Sequence, residues 1–199
     1  MEPTPTVGVL ALQGDFRDHG RVLIRAGAAV RLVRLPEDLD GLAGLVIPGG
    51  ESTTMQVLLE RERLWEPLKA RLATGLPTLA TCAGLILLAR EIADGRSDQR
   101  GLELVDVAVR RNGYGSQVDS FEAPVRVAAL RDDFPGVFIR APVIEDSGTA
   151  EVFAEHDDHP VGVRQGQVIA LCFHPELTDD LRVHSEFVRM AARSMQLDG

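Results

Sequence analysis

Short apolar runs of strand length alternate with a helix-like segment near the start of the chain. Residues 7–12 (VGVLAL), residues 29–35 and Gly44–Ile47 (GLVI) are the apolar runs, and residues 15–26 form the segment between the first two. A strand that is apolar throughout is buried on both faces, which is typical of a parallel sheet covered by helices. The order strand, helix, strand therefore predicts an α/β fold.

The rest of the chain extends this pattern and then changes it. Further helices are predicted at residues 55–62, 65–73, 83–91 and 181–195, the first opening at a cap among the hydroxyl residues Ser52, Thr53 and Thr54. Further strands are predicted at residues 76–81, 104–109, 121–128, 137–139, 151–154, 161–163 and 168–173. The later strands are short and some alternate, which indicates an antiparallel or mixed extension of the sheet. We expect one domain over residues 1–199, with a mixed, largely parallel sheet flanked by helices.

Composition narrows the classes of function. The chain has 199 residues, of which 45% are hydrophobic and 26% charged, as in soluble globular proteins. Its formal net charge of −9 disfavours nucleic acid as a partner. The first residues carry neither a basic cluster nor an apolar run, and the apolar stretch at 83–89 is too short to span a bilayer. With two Cys and no disulfide framework, we expect a cytoplasmic protein without membrane contact.

Cys82 is the first residue that could carry chemistry. It lies between a predicted strand and a predicted helix and is flanked by small residues (ATCAG). A nucleophile on such a turn is exposed above the sheet, and a helix N-terminus favours thiolate over thiol. The alternative is that Cys82 is a small buried hydrophobic residue, which is common for a free Cys.

His174 and Glu176 make the catalytic interpretation stronger. His174 follows a predicted buried strand, so it should emerge at the edge of the sheet where α/β proteins place their sites. A histidine there can deprotonate Cys82, and Glu176 can orient the imidazole and stabilise its charged form. Glu176 could instead be a solvated turn carboxylate.

Two glycines follow the strand at Gly44–Ile47. Gly49 and Gly50 allow the backbone to approach a ligand and to turn an N–H group inward. With the N–H of Ala83, the N–H of Gly50 could form an oxyanion hole for acyl transfer. An ordinary turn is the other interpretation, since the segment lacks the Lys and the spacing of a phosphate-binding loop.

The remaining Cys and His residues give weaker signals. His156 and His159 have a metal-like spacing, but the Asp and Pro around them indicate a surface turn. We expect Cys172 to have a packing role, because a zinc site shared with Cys82 would silence the nucleophile, and we predict no metal site. His19 lies at helical spacing with an apolar stripe, yet we interpret both His19 and His184 as exposed helix positions.

Six segments together resemble class I glutamine amidotransferases, and more narrowly the glutaminase subunits of pyridoxal 5'-phosphate synthases. They are LALQGD at 10–15, PGGESTTM at 48–55, TCAGLILLA at 81–89, RNGYGSQVDSFE at 111–122, VFIRAP at 137–142 and FHPELT at 173–178. The segments with Cys82 and with His174–Glu176 are common to the superfamily. The others are typical of the narrower group of pyridoxal 5'-phosphate synthase glutaminase subunits. The resemblance implies a flavodoxin-like three-layer fold and a cytoplasmic glutaminase without a cofactor.

The resemblance also implies roles for particular residues. Cys82 attacks the side-chain amide of L-glutamine, His174 protonates the departing ammonia, and a γ-glutamyl thioester is then hydrolysed. The glutamine-binding positions are Gly50, Glu51, Ser52, Arg111, Ile139 and Arg140. Arg140 could equally be a structural ion-pair partner, and the sequence does not decide which Arg binds the substrate carboxylate.

A partner follows from the same resemblance, since ammonia is passed to a synthase (lyase) subunit that makes pyridoxal 5'-phosphate. We expect the docking surface at Gln13, Gly14, Asp15, Arg17, Asp18 and His19. The alternatives are a glutaminase subunit of another synthase, such as imidazole glycerol phosphate synthase, or a catalytically silent regulatory module of the same fold.

Overall fold

A computed structural model describes residues 4–95, 98–111, 113 and 120–197 of the chain. Residues 112 and 114–119 of the motif at 111–122 therefore lie outside the described residues. The helices are α1 (Phe16–Arg25), α2 (Ser52–Arg61), α3 (Trp65–Ala73), α4 (Ala83–Leu88) and α5 (Arg182–Leu197), with short 3₁₀ turns at Pro36–Leu39 and Pro175–Leu177. The strands are β1 (Thr6–Leu10), β2 (Ala29–Val33), β3 (Gly44–Ile47), β4 (Thr78–Thr81), β5 (Ala89–Ile92), β6 (Val105–Arg110), β7 (Ser120–Val127), β8 (Phe134–Ile139), β9 (Val143–Asp146), β10 (Glu151–His156), β11 (His159–Gln165) and β12 (Val168–Leu171).

The strands of the first half form the parallel part of the main sheet. β1 pairs in parallel with β2 and β3, β3 pairs with β4, and β4 pairs with β12. Every residue of β3 is buried, and so is every residue of β1 after Thr6, which confirms the prediction from their apolar runs. All four residues of β4 are buried as well. β2 differs, because it is the edge strand and of its residues only Val33 is buried.

The strands of the second half continue the same sheet in antiparallel pairing. The order is β2-β1-β3-β4-β12-β11-β10-β7-β8, with antiparallel pairs from β12 onwards. A smaller sheet has the order β5-β6-β9. The predicted mixed extension is therefore confirmed.

Helices cover the sheet and bury one continuous apolar core. α1 contacts β1, β2 and α5, while α4 contacts β4, β12 and α2. The core includes Leu10, Leu23, Leu79, Leu85 and Phe187. In the described part of the chain, no helix combines the length and apolar character needed to cross a membrane.

Two predicted helix boundaries are wrong. The helix predicted at 83–91 ends at Leu88, because the next four residues pair with β6 as strand β5. α2 begins at Ser52, and its cap is the carboxylate of Glu51, which accepts hydrogen bonds from Thr53 N at 3.2 Å and Thr54 N at 2.6 Å. A carboxylate serves as well as a hydroxyl at this end of a helix, since it satisfies free N–H groups and complements the helix dipole.

Candidate active site

Adjacent parallel strands bring Cys82 and His174 together. The register of β4 and β12 pairs Thr81 with Leu171, and Cys82 N donates a hydrogen bond to Leu171 O at 2.8 Å. His174 follows β12 by three residues and is fixed by a 2.8 Å bond from its N–H to Val137 O of β8. Both side chains therefore emerge at the carboxyl ends of neighbouring strands, as the sequence predicts.

Cys82 occupies a sharp turn between β4 and α4. Its backbone has φ 48° and ψ −103°, a conformation that a residue with a side chain rarely adopts. α4 then packs so closely on β3 that a Cβ on Gly84 would lie 2.3 Å from Ile47 O. Cys82 as a residue is 6% exposed, and its Sγ lies 4.0 Å from Ile139 O, so the thiol faces a confined space at the end of the sheet.

His174 joins the thiol to a buried carboxylate. Its Nδ1 lies 2.7 Å from Glu176 Oε1, and its ring lines the same cavity as the Cys82 thiol. Burial lowers the pKa of His174, but the hydrogen bonds to Cys82 and Glu176 outweigh it and raise that pKa to about 10. The Glu176 carboxylate beside Nδ1 thus favours the charged form of the imidazole.

Glu176 is buried on the 3₁₀ turn Pro175–Leu177. Burial raises its pKa, against the opposing effect of the hydrogen bond with His174. The second carboxylate oxygen, Oε2, lies 3.3 Å from His19 Nε2. A further carboxylate, Asp15 Oδ2, lies 3.5 Å from His174 Nδ1 at the edge of the site.

A cavity of about 370 Å³ opens beside the thiol, which is within the range of roughly 300–1,000 Å³ typical of small-molecule sites. It is lined by Gln13, Gly14, Asp15, Gly50, Glu51, Ser52, Cys82, Ile86, Arg111, Ile139, Arg140 and His174. All six positions expected to bind glutamine are on its wall. The structure thus joins segments that are far apart in sequence around one small-molecule cavity.

One wall of the cavity is a polar network built on α2. Arg111 contacts Glu51 Oε1 at 3.1 Å and Gln99 Oε1 at 2.6 Å, and Gln99 donates to Ser52 Oγ at 2.9 Å. Although burial raises the pKa of Glu51, the hydrogen bonds from Thr54 and Thr53 lower it overall. The Arg111 guanidinium is therefore held between a carboxylate and an amide.

The glycine turn lies against the imidazole and against residues 13–15, which precede α1. A Cβ on Gly49 would lie 2.3 Å from His174 Cε1, so only glycine fits there without displacement. Gly50 has φ +153°, and the next N–H, of Glu51, donates to Gln13 Oε1 at 2.8 Å. Ala83 is the first residue of α4, where backbone N–H groups lack helical partners.

The same side chains include a possible set of metal ligands. Donor atoms of Asp15, His174 and Glu176 all lie within 4.8 Å of one another. A metal on His174 Nδ1 would replace the bond between Nδ1 and Glu176. Metal binding and the Cys82–His174–Glu176 arrangement therefore exclude each other.

Comparison with known proteins agrees with this geometry. The model of the SNO glutamine amidotransferase family matches residues 9–193. The chain belongs to this family. A structure described as a glutamine amidotransferase superposes on the chain with a TM-score of 0.88 and 48% identity, covering 93% of this chain and 98% of the other. It confirms the flavodoxin-like fold.

Two proteins similar to this chain carry a more specific name. Proteins of Roseiflexus sp. strain RS-1 and Deinococcus radiodurans, both named pyridoxal 5'-phosphate synthase subunit PdxT, are each 53% identical to this chain. The alignments cover 93% and 94% of this chain and 100% and 97% of the relatives. The likeness therefore extends over nearly the whole length of each protein.

Two predictions about histidines are wrong. His19 and His184 are both 0% exposed, so His19 cannot belong to a docking surface. A signal for their burial was present, because each lies three and four residues before apolar positions: Val22 and Leu23, and Phe187 and Val188.

Other predictions outside the cavity are confirmed. Cys172 is fully buried, and burial raises the pKa of its thiol, in agreement with a packing role. His156 and His159 flank a turn at Asp157 and Asp158 that joins β10 to β11 at the surface.

Gln99 supports two residues of the cavity wall, and the sequence analysis missed it. It connects Arg111 to Ser52. A single Gln between charged residues gives no periodic or motif signal, so these contacts were not predictable from the sequence.

Proposed function

We propose that this protein hydrolyses L-glutamine to glutamate and ammonia with Cys82 as nucleophile, and supplies the ammonia to a pyridoxal 5'-phosphate synthase subunit. The observation that carries the proposal is the meeting of Cys82 and His174 on one cavity wall, with the Glu176 carboxylate hydrogen-bonded to His174 behind it. Membership of a glutamine amidotransferase family supports the choice of substrate.

In the proposed reaction, the Cys82 thiolate attacks the side-chain amide carbon of glutamine. The His174 imidazolium gives its proton to the nitrogen that leaves as ammonia, and a γ-glutamyl thioester forms on Cys82. The neutral imidazole then takes a proton from water, whose oxygen attacks the thioester and releases glutamate. Glu176 keeps the proton-bearing Nδ1 of His174 oriented throughout.

Two backbone N–H groups are proposed to stabilise the tetrahedral intermediates. They belong to Gly50 and Ala83, which lie on the glycine turn and at the start of α4. Donors aimed at the developing oxyanion act in a water-poor site and are worth about 10²–10³ in rate each. The backbone of Gly50 supports this role, because its φ of +153° is a conformation that glycine adopts without steric cost.

The substrate is proposed to bind through Gly50, Glu51, Ser52, Arg111, Ile139 and Arg140. These positions combine cations for the α-carboxylate with acceptors for the α-ammonium group. Arg111 is already engaged by Glu51 and Gln99. This supports Arg140, which is exposed on the cavity wall, as the main partner of the carboxylate.

The ammonia acceptor is proposed to be the synthase (lyase) subunit, docked on the start of α1. The relatives' name supports this choice, since they are called subunits of that synthase. Gln13, Gly14, Asp15, Arg17 and Asp18 form the proposed surface, and Arg17 is its most exposed member. We also propose that residues 1–199 act as one domain in the cytoplasm.

Glutamate release by wild type and Cys82→Ala, each with and without the synthase subunit, tests the proposal. We expect release by wild type to rise when the synthase is added and release by Cys82→Ala to be absent. Equal rates in both proteins would reject Cys82 as the nucleophile. Stimulation by imidazole glycerol phosphate synthase instead would reject the proposed partner.

A further inference from the structure

The Glu176 carboxylate has an interior side as well as a cavity side. Oε1 bonds with His174, whereas Oε2 accepts no hydrogen bond of good geometry within the described part of the chain. His19 Nε2 is 3.3 Å from Oε2 and 3.1 Å from Thr81 Oγ1. A buried carboxylate oxygen without a donor costs free energy, so the proton position on His19 decides how well Glu176 holds its charge.

His184 limits which nitrogen of His19 carries the proton. Its Nε2 lies 3.0 Å from His19 Nδ1, and its own Nδ1 has no partner among the described residues. With the proton on Nε2 of both rings, His184 donates to His19, and His19 donates towards Thr81 and Glu176. The unpaired atom is then an acceptor.

The opposite assignment is worse on both counts. With the protons on Nδ1, His19 would turn a lone pair towards the Glu176 carboxylate, and His184 would bury an N–H without a partner. Buried unpaired donors are rarer and cost more than buried unpaired acceptors. The geometry therefore selects the Nε2–H form of both rings.

We propose that His19 is a positioning residue that holds the interior oxygen of Glu176 through an Nε2–H donor, with His184 fixing its tautomer. The inference rests on the proposed function, because Glu176 matters here as the partner of His174. Its physical content is that a neutral donor stabilises the ionised carboxylate, which in turn stabilises the His174 imidazolium and the thiolate beside it.

His19 is suited to this role because it stays uncharged. Burial lowers its pKa, and the neighbouring His184 and His174 lower it further. The titratable groups that face it are Glu176 and His174, on and just before the 3₁₀ turn, and His184 from α5. His19 also joins α1 to Thr81, the residue before the nucleophile, so it ties three elements of the site together.

Two amide variants of His19 distinguish the role of Nε2 from that of Nδ1. His19→Gln places an N–H donor near the position of Nε2, whereas His19→Asn reaches only the Nδ1 side, towards His184. Val22→Ala is the matched control, since Val22 is buried on the same helix, one turn further on. It loosens α1 without removing a donor from Glu176.

Two assays measure the effect of these variants. The first is kcat and KM for glutamine with the synthase subunit present. The second is the rate of Cys82 alkylation by iodoacetamide against pH in the isolated chain, followed by mass spectrometry. Alkylation reports thiolate and does not require glutamine hydrolysis.

We expect His19→Asn to lower kcat about tenfold or more with KM within about twofold, because the proposed donor to the charged Glu176 oxygen is lost. Its alkylation at pH 7 should fall in parallel and recover at higher pH. His19→Gln should keep most of both activities, and Val22→Ala should lower Tm while keeping both. Wild-type values in His19→Asn, or an equal loss in Val22→Ala, would overturn the proposal.

The ¹⁵N chemical shifts of the wild-type rings give a test that needs no variant. We expect protonated Nε2 and unprotonated Nδ1 in His19, and a proton on Nδ1 would overturn the proposal even if the variants fail to fold. If wild type releases no glutamate, the proposed function fails, whereas alkylation and NMR still decide the role of His19.

Discussion

His174 and His19 contact different oxygens of the Glu176 carboxylate, one from the cavity and one from the interior. Both rings are nearly or fully buried, yet the pKa of His174 is raised to about 10 and that of His19 is lowered well below its usual value. Burial lowers the pKa of both. Their surroundings differ, because His174 lies between Glu176 and the Cys82 thiol, whereas His19 lies beside a second imidazole.

This difference shows how one carboxylate serves two purposes. On the cavity side, Glu176 stabilises a charged ring that can give up a proton to a leaving group. On the interior side, it meets a neutral ring that can only orient it. The chemistry of each histidine therefore follows from its neighbours rather than from its depth.

Removing the charge of Glu176 should lower the pKa of His174, so that it resembles His19 in being uncharged. In Glu176→Gln the shape is kept, but burial is no longer outweighed by a carboxylate, so the pKa of His174 falls from about 10. We expect kcat for glutamine with the synthase subunit to drop about 10³–10⁴-fold, as when a triad acid is replaced by its amide. NMR titration of the imidazole C–H signals measures the pKa directly.

Val22→Ala serves as the control for a general loss of packing. A His174 pKa that stays near its wild-type value in Glu176→Gln would contradict the comparison.

A second test moves the His174 ring and leaves His19 in place. In Gly49→Ala the added Cβ would lie 2.3 Å from His174 Cε1, so the ring must shift. A displacement of about 1 Å in a reacting group costs about 10² in rate, and we expect that loss in kcat. Steady-state glutamate release provides the measurement.

Gly20→Ala is the matched control on the interior side. Gly20 follows His19 in α1, and its added Cβ would meet only Val30 Cγ1 at 3.7 Å, an ordinary contact. Alanine is also favoured over glycine within a helix by up to about 1 kcal/mol. If both alanine variants lost activity equally, close packing of Gly49 on His174 would not be the cause.

The cavity side was predictable from the sequence, and the interior side was not. Cys82 and His174 each follow an apolar strand, and parallel strands place such residues at a common edge. Glu176 follows at once, within hydrogen-bonding reach of His174. These are local signals, and the resemblance to known amidotransferases strengthened them.

His19 and His184 required tertiary information. Helical spacing with apolar residues gives a signal for their burial, but only the packing of α1 on α5 brings the two rings into contact. β5 was missed for a similar reason. Residues 83–91 are apolar enough for a buried helix, and pairing with β6 is a long-range contact that local propensity does not contain.

The buried residues His19 and His184 should also make the stability of the fold depend on pH. His184 has a folded pKa of about 4, lowered from 6.5 by burial, so the unfolded chain takes up its proton at a higher pH than the folded protein. Its stabilising contribution is complete above pH 6.5 and is lost as pH falls towards 4. Between pH 7 and pH 5 we expect a loss of about 2 kcal/mol from this group.

His184→Gln isolates that contribution, since Gln does not titrate and retains an N–H for His19. Urea unfolding of both proteins at pH 7 and pH 5 gives the free energy of unfolding at each pH. The loss of this free energy between pH 7 and pH 5 should be smaller in the variant by about 2 kcal/mol. His19 is the titratable group that contacts His184 directly, and it is present in both proteins. Identical pH dependence in the two proteins would show that the buried His184 does not resist protonation.

The smallest expected effect concerns substrate binding and separates it from proton transfer. Gln99 holds Arg111 on the cavity wall but contacts neither His174 nor Glu176 in the described structure. In Gln99→Leu the guanidinium loses one partner, so KM for glutamine should rise up to about tenfold while kcat changes by less than about threefold. His19→Asn should show the reverse, a lower kcat at constant KM.

Gln165→Leu, which removes an amide bonded to Asp106 N, is the control. If Gln99→Leu lowered kcat at constant KM, Gln99 would act on proton transfer by His174 rather than on substrate binding.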